Sequence, residues 1–339
     1  MKKTMRFLAA LLCLMMVASC GAQPAESAPA AAPAEAGAAE SSEASAEASA
    51  EQAQWQPLTV RDDLDREITL EAPPQRVAVL MGSFAETWLL AGGELIAAPK
   101  DAWEDFDLDL GESVLNLGSY QKVSVEALFD LEADLVIASA NTKNQVELKD
   151  TLENARVNVL YFNVNGFEDY LRMLRVCADI TGRDDLYEIN GVQIQQQVEQ
   201  AKAAAAAALE SRDAPRVLFI RTAASGIHVK GSEGTVLGLM LRDLGCVNVA
   251  DGSDLLENLS MEKIIEEDPD LIFIVMQGSD QEGARKTLED SLLSNPAWSG
   301  LSAVQAGKLF YMDKQLYHLK PNNRWGISYA ELEKLLYEE

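Results

Sequence analysis

The chain has 339 residues, 54 of them acidic and 28 basic, for a formal charge of −26. No basic run stands out against that charge, which excludes nucleic acid or an anionic lipid face as a partner of the bulk surface. Beyond residue 20 the only cysteines are Cys177 and Cys246, in segments read below as separate lobes, so two buried thiols are expected rather than a disulfide.

Lys2, Lys3 and Arg6 precede an apolar run from Phe7 to Val17, which Ala18, Ser19 and Cys20 close. Small residues before a cleavage point suit a signal peptidase, and the run is too short to span a bilayer as a stable helix. Val17-Ala18-Ser19-Cys20-Gly21 resembles the lipobox of bacterial lipoproteins. The resemblance implies that residues 1–19 are a signal peptide and that Cys20 carries the lipid. Losing the three cations takes the charge from −26 to −29. The plainer alternative is an ordinary secretion signal with an incidental cysteine.

From Gly21 to Gln54 the chain holds only Ala, Glu, Ser, Pro, Gly and Gln. Such a segment buries too little apolar surface to offset the entropy of ordering it. Residues 20–55 are therefore predicted to be a tether, its ends roughly 30 Å apart as a coil. The body that follows is long enough for two cores of ordinary size.

Within the body, apolar strands alternate with helices. The first half places strands near Val77–Leu80, Leu135–Ser139 and Val157–Phe162, and helices near Ala85–Ala91, Val125–Leu131 and Gln145–Asn154. The second places strands near Val217–Arg221, Leu271–Met276 and Leu309–Met312, and a last helix over Gly326–Tyr337. Continuous apolar runs suit parallel strands covered on both faces, and the alternation implies crossover helices. Between the halves, Asp184–Glu210 is rich in Ala and Gln, with only Gly191 against a helix. At helical rise it spans roughly 40 Å, enough to join two lobes stiffly.

The halves also echo one another. Ser124-Val125-Glu126, a short helix, then Asp134 and Leu135–Ile137 match Ser260-Met261-Glu262, a short helix, then Asp270 and Leu271–Phe273. Both serines are placed as N-caps, with a glutamate in the first turn where the helix dipole favours it. Pro74-Gln75-Arg76-Val77 and Pro215-Arg216-Val217 lead the first strand of each half. Two pairings in the same order argue for duplicated α/β lobes.

Together these features resemble the helical-backbone substrate-binding lipoproteins of metal-chelate ABC importers, which carry ferric siderophores, haem or cobalamin. The resemblance runs from about Leu58 to the C-terminus. It implies two Rossmann-like α/β lobes with parallel central sheets, over residues 56–182 and 213–339, joined by one long rigid interlobe helix over residues 183–212. It further implies a monomer without cofactor, outside the cytoplasmic membrane, with cargo in a shallow interlobe cleft. Glu126 and Glu262 match the surface glutamates by which such lobes dock onto the permease that works with a cytoplasmic ATPase. Read alone, both are simple dipole partners.

Ligands of open α/β sheets sit beyond the carboxyl ends of the strands. That rule nominates Gly82, Ser83, Phe84, Asn141, Thr142, Arg221, Thr222, Gln277 and Ser279, any of which also reads as a turn residue. Trp103 sits in a loop that can border the cleft, where an aromatic would stack on a flat chelate. Tyr317-His318-Leu319-Lys320-Pro321-Asn322-Asn323-Arg324-Trp325 gathers a histidine, two cations and two aromatics. Arg324 suits a carboxylate, and Tyr317 or His318 suits axial iron ligation. Helix-start packing for Arg324 and Trp325 and a capped or buried His318 are the plain readings. His228 carries the same ambiguity.

Two histidines are few for a bare zinc or manganese site. No helix-terminal nest favours an oxyanion. An enzyme, such as a tetrapyrrole chelatase or an exported hydrolase, is the alternative class. The chain shows no Gly-x-Ser-x-Gly, phosphate loop, Cys-x-x-Cys or His-Glu-x-x-His. A surface adhesion module would not need a two-lobed clamp.

Overall fold

A computed structural model describes residues 55–252 and 260–338. The signal peptide, the lipidation at Cys20 and the tether lie outside these residues. A hairpin, β1 (Leu58–Arg61) and β2 (Glu67–Leu70), opens the described chain. The first sheet follows: β3 (Val77–Val79), β4 (Ala97–Ala98), β5 (Leu115–Asn116), β6 (Leu135–Ser139) and β7 (Asn158–Phe162). Its order is β5-β4-β3-β6-β7, parallel throughout. The crossovers carry α1 (Gly82–Leu90), α2 (Asp101–Glu104), α3 (Val125–Asp130), α4 (Lys143–Val146) and α5 (Lys149–Asn154). Thus the single helix expected over Gln145–Asn154 is two short ones. The buried Gln145 amide pins the first to the sheet edge, accepting from Ser139 N and donating to the Leu80 and Tyr120 carbonyls.

After α6 (Phe167–Thr181) the chain enters the predicted long helix. It runs as α7 (Asp184–Tyr187), a π-turn over Glu188–Val192, and α8 (Gln193–Leu209). The π-turn contains Gly191, where an added Cβ would lie 3.2 Å from Leu174 of α6. The one residue out of keeping with a helix marks where the helix winding changes to hold a close contact.

The second sheet contains β8 (Arg216–Ala223), β9 (Gly226–Lys230), β10 (Val247–Asn248), β11 (Leu271–Met276) and β12 (Leu309–Met312). Its parallel order is β10-β8-β11-β12, and β9 folds back antiparallel on β8. That hairpin was not legible as a strand pair, because its turn, Ala224-Ser225, lacks the usual two-residue signature. The helices here are α9 (Val236–Asp243), α10 (Met261–Glu267), α11 (Gln281–Leu288), α12 (Ser302–Gln305), α13 (Lys314–Tyr317) and α14 (Trp325–Tyr337).

The repeat has a structural cause. Asp134 accepts hydrogen bonds from the Gln75 and Arg76 amides, and Asp270 accepts from the Arg216 amide. In return Arg76 donates to the Leu131 carbonyl and Arg216 to that of Glu267, each closing the end of a helix. Ser124 and Ser260 cap α3 and α10, accepting from the Ala127 and Lys263 amides. The same clasp therefore sets the entry of the first strand in each half.

The halves do not have independent cores. One apolar cluster runs from Val79 and Phe84 through α6 and α8 to Phe273 and Trp325. Smaller clusters cover the outer faces of the two sheets. Trp325 is fully buried and meets Phe167 of α6 edge-on, with ring centroids 6.0 Å apart. Gly326 allows α14 to lie close on α8, since a Cβ there would come within 2.7 Å of Gln197 Cβ. A continuous core resists wide hinge opening, because separating the lobes exposes apolar surface at ~25 cal/mol per Å².

Candidate functional site

The site lies at the carboxyl ends of both sheets. A cavity of 320 Å³ is lined from the first half by Ser83, Asp101, Glu104, Asp105, Phe106 and Tyr120. From the second half come Gln277, Gly278, Ser279, Lys314, His318 and Lys320. A second chamber of 120 Å³ shares His318 and Lys320, and adds Asn165, Arg221, Thr235 and Tyr317. The segment from Lys314 to Lys320 is thus the wall between the chambers.

That wall is stitched to the first half. Lys314 Nζ pairs with Asp105 at 2.7 Å. Four residues past Lys320, Arg324 makes a two-pronged ion pair with Glu86 of α1, at 2.7 and 3.0 Å. Asn322, buried and held at φ 55, donates to the Ser83 carbonyl and to Glu86. Charge-assisted, paired contacts of this kind fix geometry as well as adding energy.

The electrostatics divide by lobe. The first half brings Asp101, Glu104 and Asp105 to the larger chamber and the second brings Lys314, His318 and Lys320, while Arg221 lines the smaller one. Lys314 has its carboxylate partner. Among the described residues, neither Arg221 nor Lys320 has a hydrogen-bond acceptor or ion-pair partner; Arg221 Nε is buried, and Lys320 Nζ lies over the Phe84 ring, 5.9 Å from its centroid. Burial lowers the pKa of both, Asp101 partly offsetting the effect at Lys320. Lys230 is lowered too, by burial and then by Arg221. Burial, reinforced by Arg221 and Lys314, pushes His318 down to about 4. His318 is therefore a neutral imidazole at pH 7, with one ring nitrogen free to accept.

Two oxygens on the opposite wall also lack partners. Asp101 Oδ2 accepts from the Gly82 amide at 2.8 Å, but its Oδ1 is buried and unpaired, as is Ser83 Oγ. Burial raises the Asp101 pKa. An unpaired buried polar group costs free energy unless a bound molecule completes it. The cavity thus sets cations on the second half against unpaired oxygens on the first.

Of the residues nominated from sequence, Ser83, Arg221, Gln277, Ser279, Tyr317 and His318 line these chambers. Tyr317 also donates its hydroxyl to the Ser328 carbonyl. The others lie elsewhere. Phe84 is in the core against Phe162, and Trp103 is half-buried against that same core. Asn141 is exposed and bonded to Asn163 and Asn165, while Thr142 precedes α4. His228 is exposed on β9, opposite Arg221 in the ladder. Arg324 is committed to Glu86, and Trp325 is packed at the start of α14, so the plain reading of that pair holds. Sequence reasoning did not nominate Asp101, Glu104, Asp105, Tyr120 or Thr235, and it quoted Lys320 without assigning it a role. The lysine's position beside His318 was the available signal.

Two α/β halves sharing a helical connection, with a polar cavity between them, define a two-lobed binding protein. The sequence matches the pattern of the periplasmic binding protein family over residues 77–316, and the chain belongs to that family. It is 23% identical over 264 residues to the Fe(3+)-citrate-binding protein YfmC of Bacillus subtilis, covering 75% of this chain and 78% of that protein. It is 25% identical over 223 residues to the cobalamin-binding protein of Halobacterium salinarum, covering 64% of this chain and 58% of that longer relative. Among solved structures it is similar to the siderophore-binding protein BauB, bound to acinetobactin and ferric iron. There the TM-score is 0.67 at 19% identity, over 84% of this chain and 99% of that one. A periplasmic heme-binding protein of Pseudomonas aeruginosa gives a TM-score of 0.62 at 24% identity, over 78% and 93%. These structural likenesses establish the fold.

Proposed function

We propose that the protein captures an anionic metal chelate, a ferric hydroxycarboxylate or siderophore or a haem, and delivers it to an ABC permease. The observation that carries this reading is a pair of half-buried cations, Arg221 and Lys320, that have no hydrogen-bond acceptor or carboxylate partner among the described residues, in a chain whose net charge is −26. Such cations destabilise the empty protein and are stabilised when ligand oxygens replace the missing counter-charge. A ferric chelate presents carboxylate or phenolate oxygens, and haem presents propionates. Cobalamin offers mainly neutral amides, so the charge pattern favours iron chelates over it. Neutral His318 is a donor nitrogen for the metal itself. Capture in this reading is non-enzymatic.

A lipid on Cys20 and the tether to residue 55 would hold the body at the outer face of the cytoplasmic membrane, as a monomer. Glu126 and Glu262 are exposed in the first turns of α3 and α10, which supports their use as docking carboxylates. Titration of the protein with ferric citrate, ferric siderophores, haemin and cobalamin, followed by tryptophan fluorescence, tests the cargo. Saturable quenching by an anionic chelate is expected, and a response to cobalamin alone would reverse the order of preference. Charge reversal at Glu126 and Glu262 should abolish uptake with affinity intact. A parallel fall in affinity would place those residues in ligand binding instead.

A further inference from the structure

Glu126 and Glu262 do not stand alone on their helices. Val125–Ala133 and Met261–Pro269 repeat one another's exposure residue for residue: half-buried, exposed, half-buried, buried, exposed, exposed, half-buried, exposed, buried. Each helix turns its core contact inward through one fully buried residue, Leu128 or Ile264. Each then shows a large apolar side chain to solvent three residues after the glutamate, Phe129 at 39% and Ile265 at 44% exposure. An acidic residue follows at once, Asp130 or Glu266. Positions i, i+3 and i+4 share one helical face, so each half carries a carboxylate–apolar–carboxylate stripe.

A lone exposed apolar residue is ordinary and calls for no account. The same residue class at both copies of a repeat, between the same two carboxylates, is a different matter. The fully buried contact of each helix is made by Leu128 or Ile264 instead. Both helices run back from the carboxyl-end edge of their sheet to feed the next parallel strand, so their first turns lie toward that edge. The chain also leaves each stripe alike, with Glu132 at φ 49 and Asp268 at φ 36.

We infer that Phe129 and Ile265 are the apolar anchors of two equivalent contacts with one membrane partner. That partner has two like sites, each a cationic pocket with an apolar lip. The inference rests on the docking reading above and adds to it the residues that bury surface. Carboxylates steer a cationic partner and fix register, whereas desolvated apolar area holds the contact closed. The two contacts are alike rather than identical: Lys263 pairs with Glu266 at 2.7 Å, and its counterpart in the first half is Ala127.

The test is photo-crosslinking in native membranes with the full chain. A benzophenone amino acid is placed singly at positions 129 and 265, at 126 and 262, and at the exposed off-face positions 311 and 327. Crosslinks from both 129 and 265 to one permease polypeptide, with none from 311 or 327, are expected. Phe129→Ser and Ile265→Ser should each weaken crosslinking from the glutamate position of the same helix by about ten-fold. Crosslinks from 126 and 262 without any from 129 and 265 would overturn the inference and leave carboxylate docking standing. Silence from all four positions would overturn both.

Discussion

The outer and inner surfaces of the two halves have diverged to very different degrees. On the outside, α3 and α10 are near copies in capping, exposure and exit geometry. Inside the cleft the halves are opposites, with Asp101, Glu104 and Asp105 facing Arg221, Lys314, His318 and Lys320. The scaffold clasps, Asp134 with Arg76 and Asp270 with Arg216, have stayed alike. A duplicated fold keeps its symmetry where it meets something symmetric and loses it where it meets something that is not. A chelate with its charge on one side needs one cationic wall, and a second copy of that wall would repel itself.

The contrast can be broken most severely at the cationic wall. Replacing Arg221 and Lys320 together by methionine should lower affinity for an anionic chelate by about a thousand-fold, as isothermal titration would read it. The acidic wall should respond differently, with Asp101→Asn leaving affinity within about ten-fold. Next in size is the interlobe clasp. Arg324→Met strands Glu86, which is only 7% exposed, and should cost about 3 kcal/mol in denaturant unfolding. Glu86→Gln with Arg324→Met should recover part of that loss.

A smaller effect sharpens the role of His318. Its folded pKa of about 4 lies below the ordinary 6.5, so between these values the unfolded chain binds the proton first. The contribution to stability is whole above pH 6.5 and is lost as pH falls through about 4. Against His318→Gln, the unliganded wild type should lose roughly 2 kcal/mol more on acidification across that window. Equal losses in both would place His318 outside this account. Smallest is a gain: Lys320→Met should raise the stability of the empty protein by about 1 kcal/mol, because it removes a half-buried charge with no carboxylate partner. Thermal unfolding without ligand reads the sign directly.

The frame was legible in sequence because its signals are local and continuous. Leu135–Ser139, Leu271–Met276 and Leu309–Met312 are apolar runs whose ends coincide with the strands. The Ala- and Gln-rich run became the connecting helix, irregular only around Gly191. The cavity was legible in part. Ser83, Arg221 and Gln277 follow from the strand-end rule, and His318 from its neighbourhood. Asp101, at the start of α2, and Lys320 lie more than 200 residues apart, and nothing local marks either as lining a cavity. Arg324 and Trp325 show the reverse case. Their residue types suit a ligand site, but the start of α14 turns one toward Glu86 and the other into the core. Composition finds the segment, and only the backbone direction sorts its side chains.

The central claim is that unpaired cations on one wall define the cargo. The most direct test is a fluorescence titration of the wild type and of Lys320→Met with ferric citrate, ferric siderophores, haemin and cobalamin at pH 7. The account expects saturable binding of an anionic chelate by the wild type, lost or strongly weakened in the variant, which remains folded. Equal binding by both proteins, or binding of cobalamin alone, would contradict it.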